Sequence, residues 1–142
     1  MKVAQVLREK SGDIATVLPD TPIPAVATML KGRGIGALLV LDDKNDLMGI
    51  ISERDIVYAL ADNADGMGHL TAGDLMTREV QTCKPGQDIN DVMRAMTAKR
   101  FRHMPVLDDG KLAGIVSIGD AVKCRMQELE NERQALESFI TG

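Results

Sequence analysis

Two heptapeptides have the residue types and spacing to do chemistry: Gly49-Ile50-Ile51-Ser52-Glu53-Arg54-Asp55 and Gly114-Ile115-Val116-Ser117-Ile118-Gly119-Asp120. In each, an apolar strand-like run leads into a hydroxyl, with a carboxylate three residues later. Ser52 or Ser117 can cap a helix while Asp55 or Asp120 reaches back to the cap's own amide, which is a capping box. The same placement suits a ligand. A helix start exposes unpaired amides that attract phosphate, and a short carboxylate one turn in can accept both cis-hydroxyls of a ribose, as carboxylates do in dinucleotide folds. Neither reading excludes the other.

A second feature is electrostatic. Between residues 93 and 107 lie Arg94, Lys99, Arg100, Arg102 and His103 with no acidic residue, in a chain of net charge −4. Lys99 and Arg100 fit a helix end, where cations meet the negative pole of the dipole. Arg102 enters a strand beside the candidate pocket and offers the forked donors that suit phosphate. At the corresponding point of the first half stand Gly36 and Ala37, while Arg54 lies beside Asp55 where the second half has Ile118 and Gly119. The two sites are therefore expected to differ. His103 and His69 have no second ligand at usable spacing, so no metal site is predicted. The serines are scattered and no histidine is placed by a nucleophile motif, so the chain does not read as an enzyme.

The elements that position these residues are duplicated. Residues 14–43 overlie 80–109 at an offset of 66, matching Thr16 with Thr82, Pro19 with Pro85, Ile23 with Ile89, Val26 with Val92, and Val40-Leu41-Asp42-Asp43 with Val106-Leu107-Asp108-Asp109. The offset then falls to 65, aligning Gly49 with Gly114, Ser52 with Ser117 and Asp55 with Asp120. The slip lands in a polar hairpin loop, where length is tolerated. Each copy starts with a short extended piece (Ile14 to Val17) and a helix bearing Ile23, Val26, Ala27 and Leu30. Two buried strands (Ile35 to Leu41, Leu47 to Ile51) and a second helix (53–61) follow. The fold class is thus α/β (α+β), two β-α-β-β-α repeats related by a pseudo-twofold axis, plus a long C-terminal helix. The borders are repeat 1 over 1–62, a glycine-rich linker 63–71, repeat 2 over 72–125, and a helical extension 126–142. A unit of roughly sixty residues is marginal alone, so the two must pack together.

Composition narrows the field further. Three aromatic residues are too few for single-strand stacking platforms, and a net-acidic chain has no global attraction for nucleic acid or anionic membrane. Cys83 and Cys124, forty-one residues apart with no CxxC pair, read as buried small hydrophobes in a reducing compartment. No apolar run approaches a bilayer span and the N-terminus lacks a signal-peptide pattern, so a cytoplasmic location is expected.

The double unit resembles a tandem pair of cystathionine-β-synthase (CBS) domains. The resemblance rests on the duplicated Gly-h-h-Ser-x-x-Asp motif, Asp74-Leu75-Met76-Thr77 opening the second copy, and Arg102-His103-Met104-Pro105-Val106 at its second strand. It covers all but the last fifteen or so residues. It implies a nucleotide-sensing module with no required cofactor, whose clefts take an adenosine-containing ligand such as AMP, ADP, ATP, NAD or S-adenosylmethionine. Carried over, Asp55 and Asp120 would hold ribose, with Ser52 and Ser117 near ribose or phosphate. Thr16 and Thr82 would line the adenine pocket. So would Ala37 and Leu38, and His103 and Met104, through backbone groups, with Gly36, Arg54, Arg102 and Pro105 completing the candidate set.

The tail carries Val122, Met126, Leu129, Leu136 and Ile140 at spacings of three and four, interrupted by Arg133. Twenty-odd helical residues span roughly 30 Å, so the tail should project and support a homodimer. No effector domain fits in the remaining residues, so a separate target protein is implied. The rival reading is an interaction module with empty clefts that touches a protein or nucleic acid through segment 94–103.

Overall fold

The computed structural model describes residues 1–10 and 13–141. Its elements are α1 (Val3–Glu9), β1 (Thr16–Val17), α2 (Ile23–Arg33), β2 (Ala37–Leu41), β3 (Leu47–Ser52), α3 (Glu53–Asp62), α4 (Ala72–Leu75), α5 (Ile89–Lys99), β4 (His103–Asp108), β5 (Lys111–Ser117) and α6 (Ile118–Thr141). The chain is mixed α/β, and the β-α-β-β-α order of the first copy is present. Its sheet runs β1-β2-β3, with β1 parallel and β3 antiparallel to β2. α2 buries Ile23, Val26 and Leu30. Ala27, expected on that face, is exposed, because it lies about 100° around the helix from Val26.

The second copy departs from the pattern in one strand. Residues 80–83 form no strand, and the expected pairing shrinks to a single parallel bridge between Cys83 and Val106. The reason is Pro105. In the first copy the amide of Leu39 donates to Ala15 O at 3.2 Å. Pro105 stands at the equivalent position without an N–H, so that rung cannot form. Two bonds remain, Cys83 N to Pro105 O at 3.0 Å and Leu107 N to Cys83 O at 2.9 Å. β4 and β5 make a two-stranded sheet, irregular between Val106 and Leu107 just as the first hairpin is between Val40 and Leu41. The one-residue slip is accounted for by the turns. Asp42 N bonds Asp46 O across the longer loop at 2.9 Å, whereas Asp109 and Gly110, both at positive φ, close the shorter one.

The compact units cut the chain away from the repeat borders. One, the Asp55 unit, is Asp13–Val80, and the other, the Asp120 unit, is Met1–Gly12 with Gln81–Gly142. Each unit joins the body of one copy to the helix that leads into the other. In the Asp120 unit, Ile89 N donates to Met1 O (2.9 Å), Val3 N to Gln87 O (2.9 Å) and Ala4 N to Pro85 O (2.9 Å). In the Asp55 unit, Ile23 N donates to Leu70 O (3.0 Å), Ala72 N to Thr21 O (2.8 Å) and Gly73 N to Pro19 O (2.8 Å). These are the same bonds. They match the leading helices α1 and α4 at an offset of 69, and so Asp74 to Thr77 packs on the first copy's body.

The two cores repeat each other. Val17, Ile23, Val26, Leu30, Leu38, Val40, Ile51, Ala72 and Met76 fill one. Val3, Val6, Ile89, Val92, Met96, Val106 and Val116 fill much of the other, with Cys83 and Cys124 buried among them as free thiols. Burial pushes the Cys83 thiol up to about 11, so it packs as a small hydrophobe. The proposed tail helix is continuous with the helix after Ser117, running twenty-four residues and burying only Ala121 and Cys124. Gly142, the last residue of the expected extension, lies outside the described residues.

Candidate functional site

Both Ser-x-x-Asp segments sit where a strand gives way to a helix. Ser52 ends β3 and caps α3: its Oγ accepts from Asp55 N at 3.3 Å, while Asp55 Oδ2 accepts from Ser52 N at 2.8 Å and from Ser52 Oγ at 3.0 Å. Ser117 ends β5 likewise, with Ser117 N donating to Asp120 Oδ2 at 2.9 Å and Asp120 N to Ser117 Oγ at 3.1 Å. The capping box is therefore real in both copies. It uses one oxygen of each carboxylate. Oδ1 of Asp55 and of Asp120 accepts no hydrogen bond among the described residues, and a carboxylate has acceptor capacity for about four. Both aspartates are half-buried, so the open oxygen lies where hydroxyl donors could meet it with limited competition from water.

The neighbouring strands assemble the rest of each site. Ala37 pairs with Ser52 and His103 with Ser117, which puts the first residue of β2 and of β4 opposite the cap. One residue earlier, Gly36 O accepts from Glu53 N at 2.9 Å and Arg102 O from Ile118 N at 2.8 Å, so these positions are tied to the helix starts. Both arginines are exposed: Arg54 precedes Asp55 in the first turn of α3, and Arg102 precedes β4 with its main chain at the start of α6. The structure thus gathers Gly36, Ala37, Ser52, Arg54 and Asp55 in one unit, and Arg102, His103, Ser117 and Asp120 in the other.

Of the other expected residues, Thr16 lies on β1, Leu38 on β2, and Met104 and Pro105 on β4. Leu38 and Met104 are buried core side chains at 0% and 4% exposure, so only their main chain could face a ligand. Pro105 is buried, with its carbonyl engaged by Cys83 N. Thr16 pairs with Leu39 on β1. Exposed Thr82 lines a groove with Lys84, Leu107, Asp108 and Asp109, which excludes Ser117 and Asp120. In the basic segment, Arg94 is paired with Asp91 at 3.2 Å and Lys99 Nζ donates to Gln81 Oε1 at 3.1 Å.

Sequence reasoning missed Lys10. Its ammonium, at the end of α1, donates to Asp120 Oδ2 at 2.8 Å and to Ile115 O at 3.0 Å. Burial works to raise the Asp120 carboxyl, but Lys10 and the Ser117 amide outweigh it and hold the group below the usual carboxylate range. Nothing local could have found this pairing, because 110 residues separate the partners. Among the described residues no group of three or more His, Cys, Asp or Glu could hold a metal ion, and no helix is long and apolar enough to cross a membrane.

The model of the CBS domain matches residues 3–62 and again 72–126. The chain belongs to the CBS domain family. This CBS pair is 40% identical to a CBS-domain containing protein from Agrobacterium tumefaciens, at a TM-score of 0.83 over 87% of this chain and 92% of that one. Two further CBS structures hold adenosine compounds. The CBS domain pair of protein MJ0100, in complex with 5'-methylthioadenosine and S-adenosyl-L-methionine, is 28% identical (TM-score 0.79, covering 90% and 98%). CBSX2, in complex with AMP, is 27% identical (TM-score 0.73, covering 89% and 96%). The CBS pair spans 62%, 34% and 61% of the lengths of the first three curated relatives it matches.

Proposed function

We propose that this CBS pair is a regulatory module that binds an adenosine-containing ligand and acts on a separate target protein rather than catalysing a reaction. The reading is carried by one observation: Asp55 and Asp120, at equivalent helix starts, each give one oxygen to a capping box and leave the other open. A ribose diol needs such an acceptor. Relatives that hold AMP, 5'-methylthioadenosine or S-adenosyl-L-methionine support an adenosine ligand, with ADP, ATP and NAD as further candidates. Ligand would act by population shift, favouring the arrangement of the chain that it binds more tightly.

The tail suits self-association. Met126, Leu136, Phe139 and Ile140 are 66%, 63%, 86% and 80% exposed on α6, and a second copy in a cytoplasmic homodimer would cover them. Calorimetry with AMP, ATP, NAD and S-adenosylmethionine tests the ligand reading. Binding should be present at millimolar ligand and be lost site by site in Asp55→Ala and Asp120→Ala. Absence of binding to all four, or unchanged affinity in both variants, would refute it.

A further inference from the structure

The two sites differ in a way that the repeat pattern does not show. In the Asp55 unit the Ser52 hydroxyl donates to Asp55 Oδ2 at 3.0 Å, so its only hydrogen is engaged. In the Asp120 unit the Lys10 ammonium takes that role on Asp120 Oδ2 at 2.8 Å. The Ser117 hydroxyl accepts from Asp120 N and lies near enough to the Asp120 carboxylate to help hold it ionised. An ammonium carries three N–H donors. Lys10 commits two, to Asp120 Oδ2 and Ile115 O, and its side chain is 36% exposed.

Among the described residues the Asp120 site therefore presents one open cationic donor, the third N–H of Lys10, beside one open acceptor, Asp120 Oδ1. The leading-helix exchange makes this one-sided: at the offset of 69 that matches α1 with α4, Lys10 corresponds to Glu79. Arg54 is a cation near Asp55, but its exposed side chain makes no hydrogen bond or ion pair among the described residues, so nothing fixes it at the carboxylate.

We infer that Lys10 is a ligand-binding residue of the Asp120 site, contributed by α1, and makes that site select an adenosine ligand bearing an anionic phosphate over the uncharged nucleoside. This rests on the adenosine-binding reading above. Asp120 Oδ1 accepts a ribose hydroxyl, while the third N–H of Lys10 meets phosphate oxygen. Lys10 neutralises the Asp120 charge, which removes the repulsion a bare carboxylate would exert on that anion.

The test uses the full chain carrying Asp55→Ala, which leaves the Asp120 site alone, with AMP and adenosine as probes in calorimetry. AMP should bind about tenfold more tightly than adenosine, a difference a single charge-assisted hydrogen bond supplies. Adding Lys10→Met should bring the two ligands to within about threefold, by weakening AMP and leaving adenosine nearly unchanged, and Lys10→Arg should restore much of the preference. Lys10→Gln repeats the measurement should the methionine variant melt early. Equal weakening of both ligands, or no change in either, overturns the assignment and leaves Lys10 as a structural strap. If Asp55→Ala abolishes all binding while the unmodified chain and Asp120→Ala still bind, only this inference fails. If the unmodified chain binds neither probe nor any other adenine ligand, the functional reading falls with it.

Discussion

The most direct test of the exchanged leading helices is a pair of identical substitutions at Gly49 and Gly114. These glycines are equivalent in the repeat and each faces the helix carried in from the other copy. A Cβ on Gly49 would stand 2.6 Å from Thr77 O and 2.8 Å from Met76 Sδ. On Gly114 its three nearest atoms would all belong to the Leu7 side chain, with the two methyl carbons at 2.7 and 3.1 Å. Leu7 can turn away for about 1 kcal/mol of rotamer strain. Thr77 cannot, because its main chain is held to Ile50 by two hydrogen bonds, of 2.8 and 3.0 Å. Loosening that pair costs about 1 kcal/mol per bond, and crowding Met76 adds roughly 1–2 kcal/mol. Alanine also restricts the unfolded chain, returning about 0.5 kcal/mol in either variant. Gly49→Ala should therefore destabilise by about 3 kcal/mol and Gly114→Ala by about 0.5–1 kcal/mol. Urea unfolding, with m-values checked for constancy, reads the difference. A Gly114→Ala penalty equal to or greater than that of Gly49→Ala would refute the packing argument.

Other expectations follow from single features. Arg100 ends α5 in the left-handed region at φ 60°, where the first copy has Gly34 at φ 62°, so Arg100→Gly should raise stability by about 0.5–1 kcal/mol in thermal or urea unfolding, and a loss would show that the arginine is held by more than its backbone. The Asp120 carboxyl, lowered in the folded chain, contributes stability that is complete above its unfolded value near 3.8 and is lost as pH falls through the folded value. The gap in urea midpoint between the unmodified chain and Lys10→Met should thus be present at pH 7 and close in acid below the unfolded value of 3.8, once the folded carboxyl protonates. A gap that persists there would mean that Lys10 acts by packing. Removing the residues after Arg125 should yield a monomer or a weaker dimer in sedimentation, and an unaltered dimer would place the interface elsewhere.

Much of the architecture was legible because it is written twice. Ile23, Val26 and Leu30 recur as Ile89, Val92 and Met96, and both triplets are buried in helices. The capping boxes at Ser52 and Ser117 could be read from three-residue spacing, since their geometry is local. What escaped depends on partners distant in sequence. Pro105 sits in a run that looks like a strand, and its cost falls on residues 80–83, which look equally extended but lose the donor they needed. α1 is a seven-residue helix whose own pattern does not say which body it covers. The bond from Lys10 to Asp120 follows from that placement and was invisible for the same reason. Leu38 and Met104 lie in apolar strand runs that read as buried, and their interior side chains leave the main-chain role expected of them.

The crossed leading helices mean that the inherited repeat and the folding unit are not the same piece of chain. A fragment cut at the border of the duplication would carry a helix with nothing to cover and a body with one flank bare. A fragment from 13 to 80 would carry its own lid. The polypeptide also passes between the units twice instead of once, as two stitches do where a string of beads has one thread. Each unit thus keeps its own leading helix, but one of them must recruit that helix from the opposite end of the chain, across the whole of its neighbour's sequence.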